Sequence, residues 1–280
     1  SSAHQVNGSN DSAGLSQPPS LATKMTFNKI FARFVLALAV AANCAPMILA
    51  QKKQLHVAAA ADLQTAMPEI AKAFEAQTGT SVDVVYGSSG NFYAQIRNGA
   101  PLDVFFSADS GYPRKLEELG LTEPNSLAIY ANGSIVLWMP ASASCHPERE
   151  QWKCLQDSAV KKIAIANPEH APYGRAAVAA LQKTGIYEQL KAKLVFGENI
   201  SQAAQFVQSG NAQAGILAYS LALSPALRRG QQWKIPMELY PRIEQSAVVL
   251  KSAKERAAAQ EFLKFVTQGA GREVLAKFGL

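Results

Sequence analysis

Residues 82–96 read VDVVYGSSGNFYAQI, which is the pattern of a strand, a glycine turn and the start of a helix. Its first five residues are mostly β-branched or apolar and predict a buried strand. Gly87 and Gly90 release the backbone into a tight turn, after which a helix continues. Ser88 and Ser89 therefore lie at a helix N-terminus, where free amide N–H groups and the positive end of the helix dipole favour an anion. An ordinary Ser N-cap is the alternative.

The composition bounds the fold and excludes some functions. The 280 residues suffice for one large or two modest α/β domains. The net charge of +6 is mild, and Lys and Arg form no run longer than pairs such as Arg228–Arg229. The charge pattern therefore gives no support for nucleic-acid binding. The four histidines lack metal-ligand spacing, so we expect no zinc site.

The N-terminal residues predict export. Residues 1–24 are rich in Ser, Asn, Gly and Pro, so we expect a disordered N-terminal extension. Residues 25–50 combine a basic start, an apolar run and small residues, which indicates a signal peptide cleaved after Ala50. The apolar run is too short to span a membrane comfortably. A lipoprotein modified at Cys44 is the weaker alternative, because Asn43 is a poor preceding residue. We expect a periplasmic protein.

Once the leader is removed, Cys145 and Cys154 are the two remaining thiols, and they flank a polar segment. In an oxidising compartment we expect a disulfide that closes this loop. Two free thiols are the alternative. A catalytic cysteine pair would more typically be closely spaced at a helix start.

The remaining chain alternates strand and helix patterns, which predicts a doubly wound, mainly parallel α/β architecture. Pro68 should bend or restart the first helix. Ligands bind such sheets at the carboxyl ends of strands, where helices begin. The candidate junctions, none of which supplies Lys or Arg, are Asp62, Ser88–Ser89, Tyr173–Gly174 and Ile200–Ser201.

Several motifs in series carry a resemblance to a known family. They are Val57–Leu63, Gly87–Asn91, Ala100–Asp109 and Ala166–Gly174. The chain resembles the periplasmic molybdate-binding proteins of ABC importers from about Leu55 to Leu280, with the order of segments kept. The resemblance implies a two-lobed type II periplasmic-binding-protein fold with two crossing strands as the hinge. One lobe would comprise residues 51–130 and 241–280, and the other residues 131–240.

The resemblance also implies a function. The chain would be a non-enzymatic, monomeric extracytoplasmic receptor that captures molybdate, and tungstate too, for a membrane permease. It would need no cofactor, and molybdenum would be bound only as the oxyanion. A phosphate or sulfate receptor is the alternative within this class.

Carried over position by position, the resemblance assigns the oxyanion site. The serine of the second junction falls on Ser89, and Ser88 lies beside it. The residue after the Pro-Glu-His segment falls on Tyr173, and an amide donor falls on Ile200. Backbone amides and hydroxyls, rather than charged side chains, would hold the anion.

Two positions depart from the family pattern. The tyrosine that ends one strand is displaced by one residue to Tyr219, which would turn its phenol to the other face. Tyr173 could supply that phenol instead, and interdomain packing is the alternative role for both tyrosines. The serine of the first junction is replaced by Asp62.

A carboxylate at Asp62 would repel a permanent dianion. Three arrangements avoid this repulsion. Asp62 could cap its own helix, it could be protonated and donate, or the ligand itself could carry a proton. We expect the helix cap, because Asp is among the best N-cap residues and needs no pKa shift there.

Two other classes of protein fit less well. A secreted hydrolase needs a nucleophile and a base. His170 is the only histidine close to a junction, and the pattern places no histidine as a partner near Ser88 or Ser89. The sequence Gly-Ser-Ser-Gly is also not a nucleophile elbow. The ligand-binding lobe of a transcription regulator would be preceded by a DNA-binding helix pair, whereas a signal peptide is expected here.

Overall fold

The computed structural model describes residues 53–280, so the predicted N-terminal extension and signal peptide lie outside the described residues. The strands, numbered in chain order, are β1 Gln54–Ala60, β2 Ser81–Gly87, β3 Val104–Ser107, β4 Ala128–Gly133, β5 Ile135–Met139, β6 Ile163–Ala166, β7 Leu194–Gly197, β8 Ala214–Ala218, β9 Gln231–Lys234 and β10 Ile243–Val249.

Helices connect most of these strands. The α-helices are α1 Met67–Thr78, α2 Ser89–Arg97, α3 Gly111–Glu118, α4 Pro147–Glu150, α5 Lys153–Gln156, α6 Pro172–Lys183, α7 Tyr187–Leu190, α8 Ile200–Gln208, α9 Tyr219–Ala222, α10 Arg256–Gln268 and α11 Ala270–Lys277. Short 3₁₀ helices are Ala61–Gln64, Lys191–Lys193 and Met237–Leu239. No helix among residues 53–280 combines the length and apolar character that crossing a membrane requires.

The strands form two five-stranded sheets, and each sheet with its helices is called a lobe here. The sheet of the first lobe has the order β2-β1-β3-β10-β4, and that of the second has the order β7-β6-β8-β5-β9. Only β10 opposes its neighbours in the first sheet, and only β5 does so in the second. The expected two-lobed, mainly parallel α/β fold is confirmed.

The chain crosses between the lobes at two adjacent places. It leaves the first sheet at Gly133 and enters the second at Ile135. It returns after β9 and enters β10 at Ile243, which pairs with Gly133. The hydroxyl of Tyr240 accepts a hydrogen bond from the Ile135 N–H at 3.3 Å, which ties the two crossings together. The crossings are therefore the natural hinge between the lobes.

Each lobe has its own apolar core. In the first lobe, Phe262 of α10 packs edge-on against Phe74 at 5.0 Å and against Phe106 at 5.8 Å between ring centres. In the second lobe, the interior strands β5, β6 and β8 are wholly buried, and Ile135 of β5 and Ile163 of β6 belong to its core. Such edge-to-face pairs and buried strands fix the positions of the strand ends where ligands bind.

The first helix restarts as Pro68 predicts. A 3₁₀ turn ends at Gln64, and α1 begins at Met67 with Pro68 in its first turn. Two strands were not predicted, β4 and β9. Both are edge strands that carry polar residues or glycine, so their sequences lack the apolar run of an interior strand.

A disulfide joins Cys145 and Cys154, whose Cα atoms are 5.5 Å apart. Both cysteines are buried in the core of the second lobe, so the bond anchors the loop that carries α4 and α5. A loop of this size gives about 2–3 kcal/mol of stabilisation through the restricted unfolded chain.

Candidate functional site

A small cavity lies between the lobes, at the carboxyl ends of β1, β2, β6 and β7. Its volume is about 10 Å³. Its lining residues are Ala60, Ala61, Asp62, Gly87, Ser88, Ser89, Ala108, Ala171, Pro172, Tyr173, Asn199 and Ile200. This lining, taken over the described residues, contains no Lys, Arg or His. Five of the six predicted ligand residues are therefore brought together here, and their role as ligands stays a prediction.

Three helices start at the cavity wall. Ser89 and Ile200 are the first residues of α2 and α8, and Tyr173 is the second residue of α6. Amide N–H groups in the first turn have no acceptor within their own helix. Gly174 lets α6 start directly against the end of β6, because a Cβ atom there would overlap the carbonyl oxygen of Ala166. The N-terminal ends of these helices therefore lie together around one small volume.

The two serines of the second junction differ in their contacts. The Ser89 Oγ accepts a hydrogen bond from the N–H of Ala108 at 2.9 Å, so its own hydroxyl proton remains available as a donor. The Ser88 Oγ caps α2 by accepting from the N–H of Asn91 at 3.4 Å. Ser89 is fully buried and is thus the better placed of the two hydroxyl donors.

Asp62 does not cap its own helix, so that prediction is wrong. The 3₁₀ helix that contains it has no side-chain cap. The Asp62 Oδ2 instead accepts hydrogen bonds from the Tyr173 hydroxyl at 2.9 Å and from the Gln245 Nε2 at 2.7 Å. Gln245 is also 2.8 Å from the Tyr173 hydroxyl oxygen. The carboxylate is thus hydrogen-bonded to two residues that are distant in sequence, one from each lobe, instead of capping its own helix.

The environment of Asp62 favours its neutral form. Burial raises the pKa of Asp62 from 3.8 to about 6, and the hydrogen bonds from Gln245 and Tyr173 offset only part of this effect. Burial also raises the pKa of the Tyr173 phenol well above its usual value, and the nearby Asp62 raises it further. Tyr173 therefore remains a hydroxyl donor over the whole accessible pH range.

Contacts around the cavity join the two lobes. Arg175 forms an ion pair with Asp109 at 2.5 Å, and the N–H of Gly90 donates to the carbonyl of His170 at 2.9 Å. Asn91 hydrogen-bonds Glu198 across the same gap. These contacts hold the lobes closed over the cavity.

Ser88 has a histidine partner after all, which corrects the sequence-based expectation. The His170 Nδ1 lies 2.9 Å from the Ser88 Oγ, and its Nε2 lies 3.8 Å from Glu198. Closure of the lobes creates this contact, which no local sequence pattern reveals. Ser88 is 3 % exposed and its hydroxyl caps α2. The three residues therefore form a contact between the lobes.

Tyr219 does not line the cavity. Strand β8 ends at Ala218, and Tyr219 opens the short helix α9. The Lys234 Nζ lies 4.6 Å from the centre of the Tyr219 ring, and Gly279 packs against the same ring. The displacement by one residue places this phenol against the C-terminal segment, as the packing alternative predicts.

Two polar residues at the site were not predicted. Gln245 bridges Asp62 and Tyr173, and Asn199 lines the cavity while capping α8 through the N–H of Gln202. A signal for Gln245 exists, because it is a fully buried polar residue in the otherwise largely apolar strand β10. The resemblance places Ile200 of the same turn at the site but not its neighbour Asn199.

The sequence and the fold of this chain are similar to those of known proteins. A model of the family described as bacterial extracellular solute-binding proteins matches residues 55–280. The chain is 42 % identical over 231 residues to a protein of Azotobacter vinelandii named molybdate-binding protein ModA, which covers 82 % of this chain and 90 % of the relative.

Solved structures of two such binding proteins also resemble this chain. The periplasmic molybdate-binding protein of Azotobacter vinelandii superposes with a TM-score of 0.75 and 36 % identity, covering 80 % of this chain and 97 % of that one. The substrate-binding domain of a putative molybdenum ABC transporter from Clostridium difficile gives a TM-score of 0.62 and 29 % identity, covering 81 % and 97 %.

The buried carboxyl of Asp62 predicts a pH-dependent difference in stability. Because its pKa is raised from 3.8 to about 6 on folding, Asp62 contributes stability that is fully present below about pH 3.8 and lost as the pH rises through 6. Asp62→Asn keeps the shape and removes the charge. Relative to the unmodified protein, its free energy of unfolding should rise between pH 4 and pH 7.5, by roughly 3 kcal/mol at most. Urea denaturation measures this.

A matched control is Glu118→Gln, which removes an exposed carboxylate at the end of α3. Its effect on the free energy of unfolding should be small and nearly constant over this range. If the free energies of unfolding of Asp62→Asn and the unmodified protein differ by the same amount at every pH, the raised pKa of Asp62 is contradicted.

Proposed function

Because the chain belongs to the family of bacterial extracellular solute-binding proteins, we propose that it captures molybdate, and tungstate too, in the periplasm and delivers it to the membrane permease of an ABC importer. The observation that carries this proposal is the closed cavity lined by neutral donors from several helix starts. The names of the relatives above support the choice of anion. The Cys145–Cys154 disulfide fits the oxidising periplasm.

The size of the cavity restricts the ligand to a small ion. The cavity volume of about 10 Å³ is close to the minimum of ~10–15 Å³ that one water molecule requires. Pockets for larger organic ligands typically measure ~300–1,000 Å³. A small oxyanion requires only a slight opening of the lobes, whereas a sugar or a peptide requires a much larger pocket.

The donors of the cavity suit an anion with a permanent charge. Each helix start contributes about half a positive charge together with unpaired N–H groups. Ser89 adds a hydroxyl donor, and Ile200 adds an amide at the first position of α8. A dianion that carries no proton near neutral pH needs only donors, and the cavity offers several without any cationic side chain.

Closure of the lobes gives the site its selectivity. Donors from the first lobe, such as Ser89, and from the second, such as Ile200, surround the anion only when the lobes meet. The contact between His170 and Ser88 and the Arg175–Asp109 ion pair favour this closed state. Hinge closure around a ligand is the usual mode of periplasmic binding proteins. Since sulfate is smaller than molybdate, an anion of the wrong size would leave some donors without a close contact.

The proposal is tested by calorimetric titration of the periplasm-purified protein with molybdate, tungstate, sulfate and phosphate. Molybdate and tungstate should each bind one per chain. Sulfate and phosphate should bind roughly tenfold more weakly or worse, as expected when about 1.4 kcal/mol of donor contact is lost. If phosphate or sulfate binds more tightly than molybdate, that anion is the ligand and the proposal of molybdate is wrong. No heat with any of the four anions would contradict an oxyanion receptor.

A substitution tests the hydroxyl donor. Ser89→Ala removes one hydrogen bond to a charged ligand, worth roughly 1.5–3 kcal/mol, so the affinity for molybdate should fall about ten- to a hundredfold. The variant should also lose thermal stability, because the N–H of Ala108 loses its acceptor.

Ser126→Ala is the matched control for this loss of stability. The Ser126 Oγ accepts from the N–H of Val249 at 3.2 Å, outside the cavity lining. This variant should be destabilised similarly and keep its dissociation constant for molybdate. Equal affinities for both serine variants would show that Ser89 is only a structural residue.

A further inference from the structure

The Asp62 side chain has a buried oxygen without a hydrogen-bond partner among the described residues. It is fully buried and lines the cavity. Its Oδ2 is fully used, since it accepts from Tyr173 and Gln245. Its Oδ1 has no hydrogen-bond partner among the described residues. A buried carboxyl oxygen without a partner needs either a donor or a proton of its own.

Nothing around Asp62 compensates a negative charge on it. The titratable groups packed closest to it are the phenols of Tyr173 and Tyr130, which are neutral. Other ionisable groups around the cavity are His170, which contacts Ser88, and Glu198 and Asp109.

Among residues 53–280, the lining of the cavity also contains no cationic side chain that could pair with Asp62. The guanidinium of Arg175 is paired with Asp109 and does not line the cavity. An ionised Asp62 would therefore face a bound dianion with no cationic side chain in the lining.

We propose that Asp62 carries a proton on Oδ1 when the cavity holds an oxyanion, and that this proton forms a hydrogen bond to the anion, so that each anion captured takes up one proton from solution. The proton comes from the solvent and returns to it when the anion leaves. This proposal rests on the proposed function of the same cavity. It gives Asp62 the hydroxyl-type donor that a serine would provide at this junction.

The hydrogen bonds that Asp62 already forms are compatible with a proton on its Oδ1. With the proton on Oδ1, Oδ2 still accepts from the Tyr173 hydroxyl and the Gln245 amide, so no existing hydrogen bond is broken. An ionised anion next to the carboxyl favours its neutral form. Binding should therefore hold the proton on Asp62 at pH values where the empty protein has released it.

The proposal predicts how affinity depends on pH. In the empty protein burial already raises the pKa of Asp62 to about 6, and the bound dianion raises that pKa further. Below about pH 6 the carboxyl is neutral before and after binding, so affinity should be flat. Above that value, binding must take up a proton, and affinity should fall by up to about tenfold per pH unit. Capture would be favoured in a mildly acidic medium.

The test is calorimetric titration with sodium molybdate at pH 7.5, performed in two buffers that differ in their ionisation enthalpy. The dependence of the observed heat on the buffer gives the number of protons taken up. We expect about one proton per molybdate for the unmodified protein. Asp62→Asn, whose amide supplies a permanent donor, should take up none and should bind with an affinity that is constant from pH 6 to pH 8.5.

His170→Gln is the control for the other titratable group near the cavity lining. It removes the imidazole that contacts Ser88 and Glu198. Whatever its affinity, this variant should still take up about one proton. Loss of proton uptake in His170→Gln, with uptake retained in Asp62→Asn, would assign the proton to His170 and overturn the proposal.

The remaining outcomes separate this proposal from the proposed function. Tight binding of molybdate by the unmodified protein without proton uptake, and with affinity independent of pH, would overturn the role of Asp62 and leave the molybdate receptor intact. Absence of molybdate binding at every pH from 5.5 to 8.5 would overturn both. The measurement on the unmodified protein decides the matter even if a variant fails to fold.

Discussion

Several strand-to-helix junctions must meet at one cavity. Their positions determine how the strands, the helices and the two lobes are arranged. The carboxyl ends of β1 and β2 are in register, with Ala60 paired to Gly87, and those of β6 and β7 are paired through Ala166 and Gly197. Each pair delivers helix starts to the same place. The cores of both lobes, the two crossings and the contacts between lobes hold these starts in position. The cavity can thus attract an anion without a cationic side chain in its lining.

The same absence of cations in the lining makes Asp62 the critical residue. Two unit charges 4 Å apart interact by about 4 kcal/mol at an effective dielectric constant of 20. A carboxylate beside a dianion would oppose binding by about twice that amount, which could cancel several donor hydrogen bonds at ~1.5–3 kcal/mol each. Burial instead favours a neutral donor, because it raises the pKa of Asp62 to about 6 although the hydrogen bonds from Tyr173 and Gln245 lower that pKa. A departure from the family pattern thereby becomes compatible with the family's type of ligand.

Much of this could be predicted from the sequence, because helix and strand periodicity and glycine turns are local signals. The resemblance to molybdate-binding proteins is confirmed by the comparisons, and the structure brings Ser89, Tyr173 and Ile200 to one cavity. What could not be predicted depends on contacts between distant segments. Asp62 was expected to cap its own helix, but Gln245, 183 residues away, is its partner. The contact between Ser88 and His170 likewise forms only when the lobes close.

The central claim, that neutral donors at the junction cavity hold the anion, is tested most directly by anomalous X-ray diffraction at the molybdenum edge from crystals grown with molybdate. The account predicts one anomalous peak per chain inside the cavity, within hydrogen-bonding reach of Ser89 and the Ile200 amide through the oxygens of the anion. A peak outside the cavity, such as one beside Arg175, or a cavity without a peak at saturating molybdate, would contradict it.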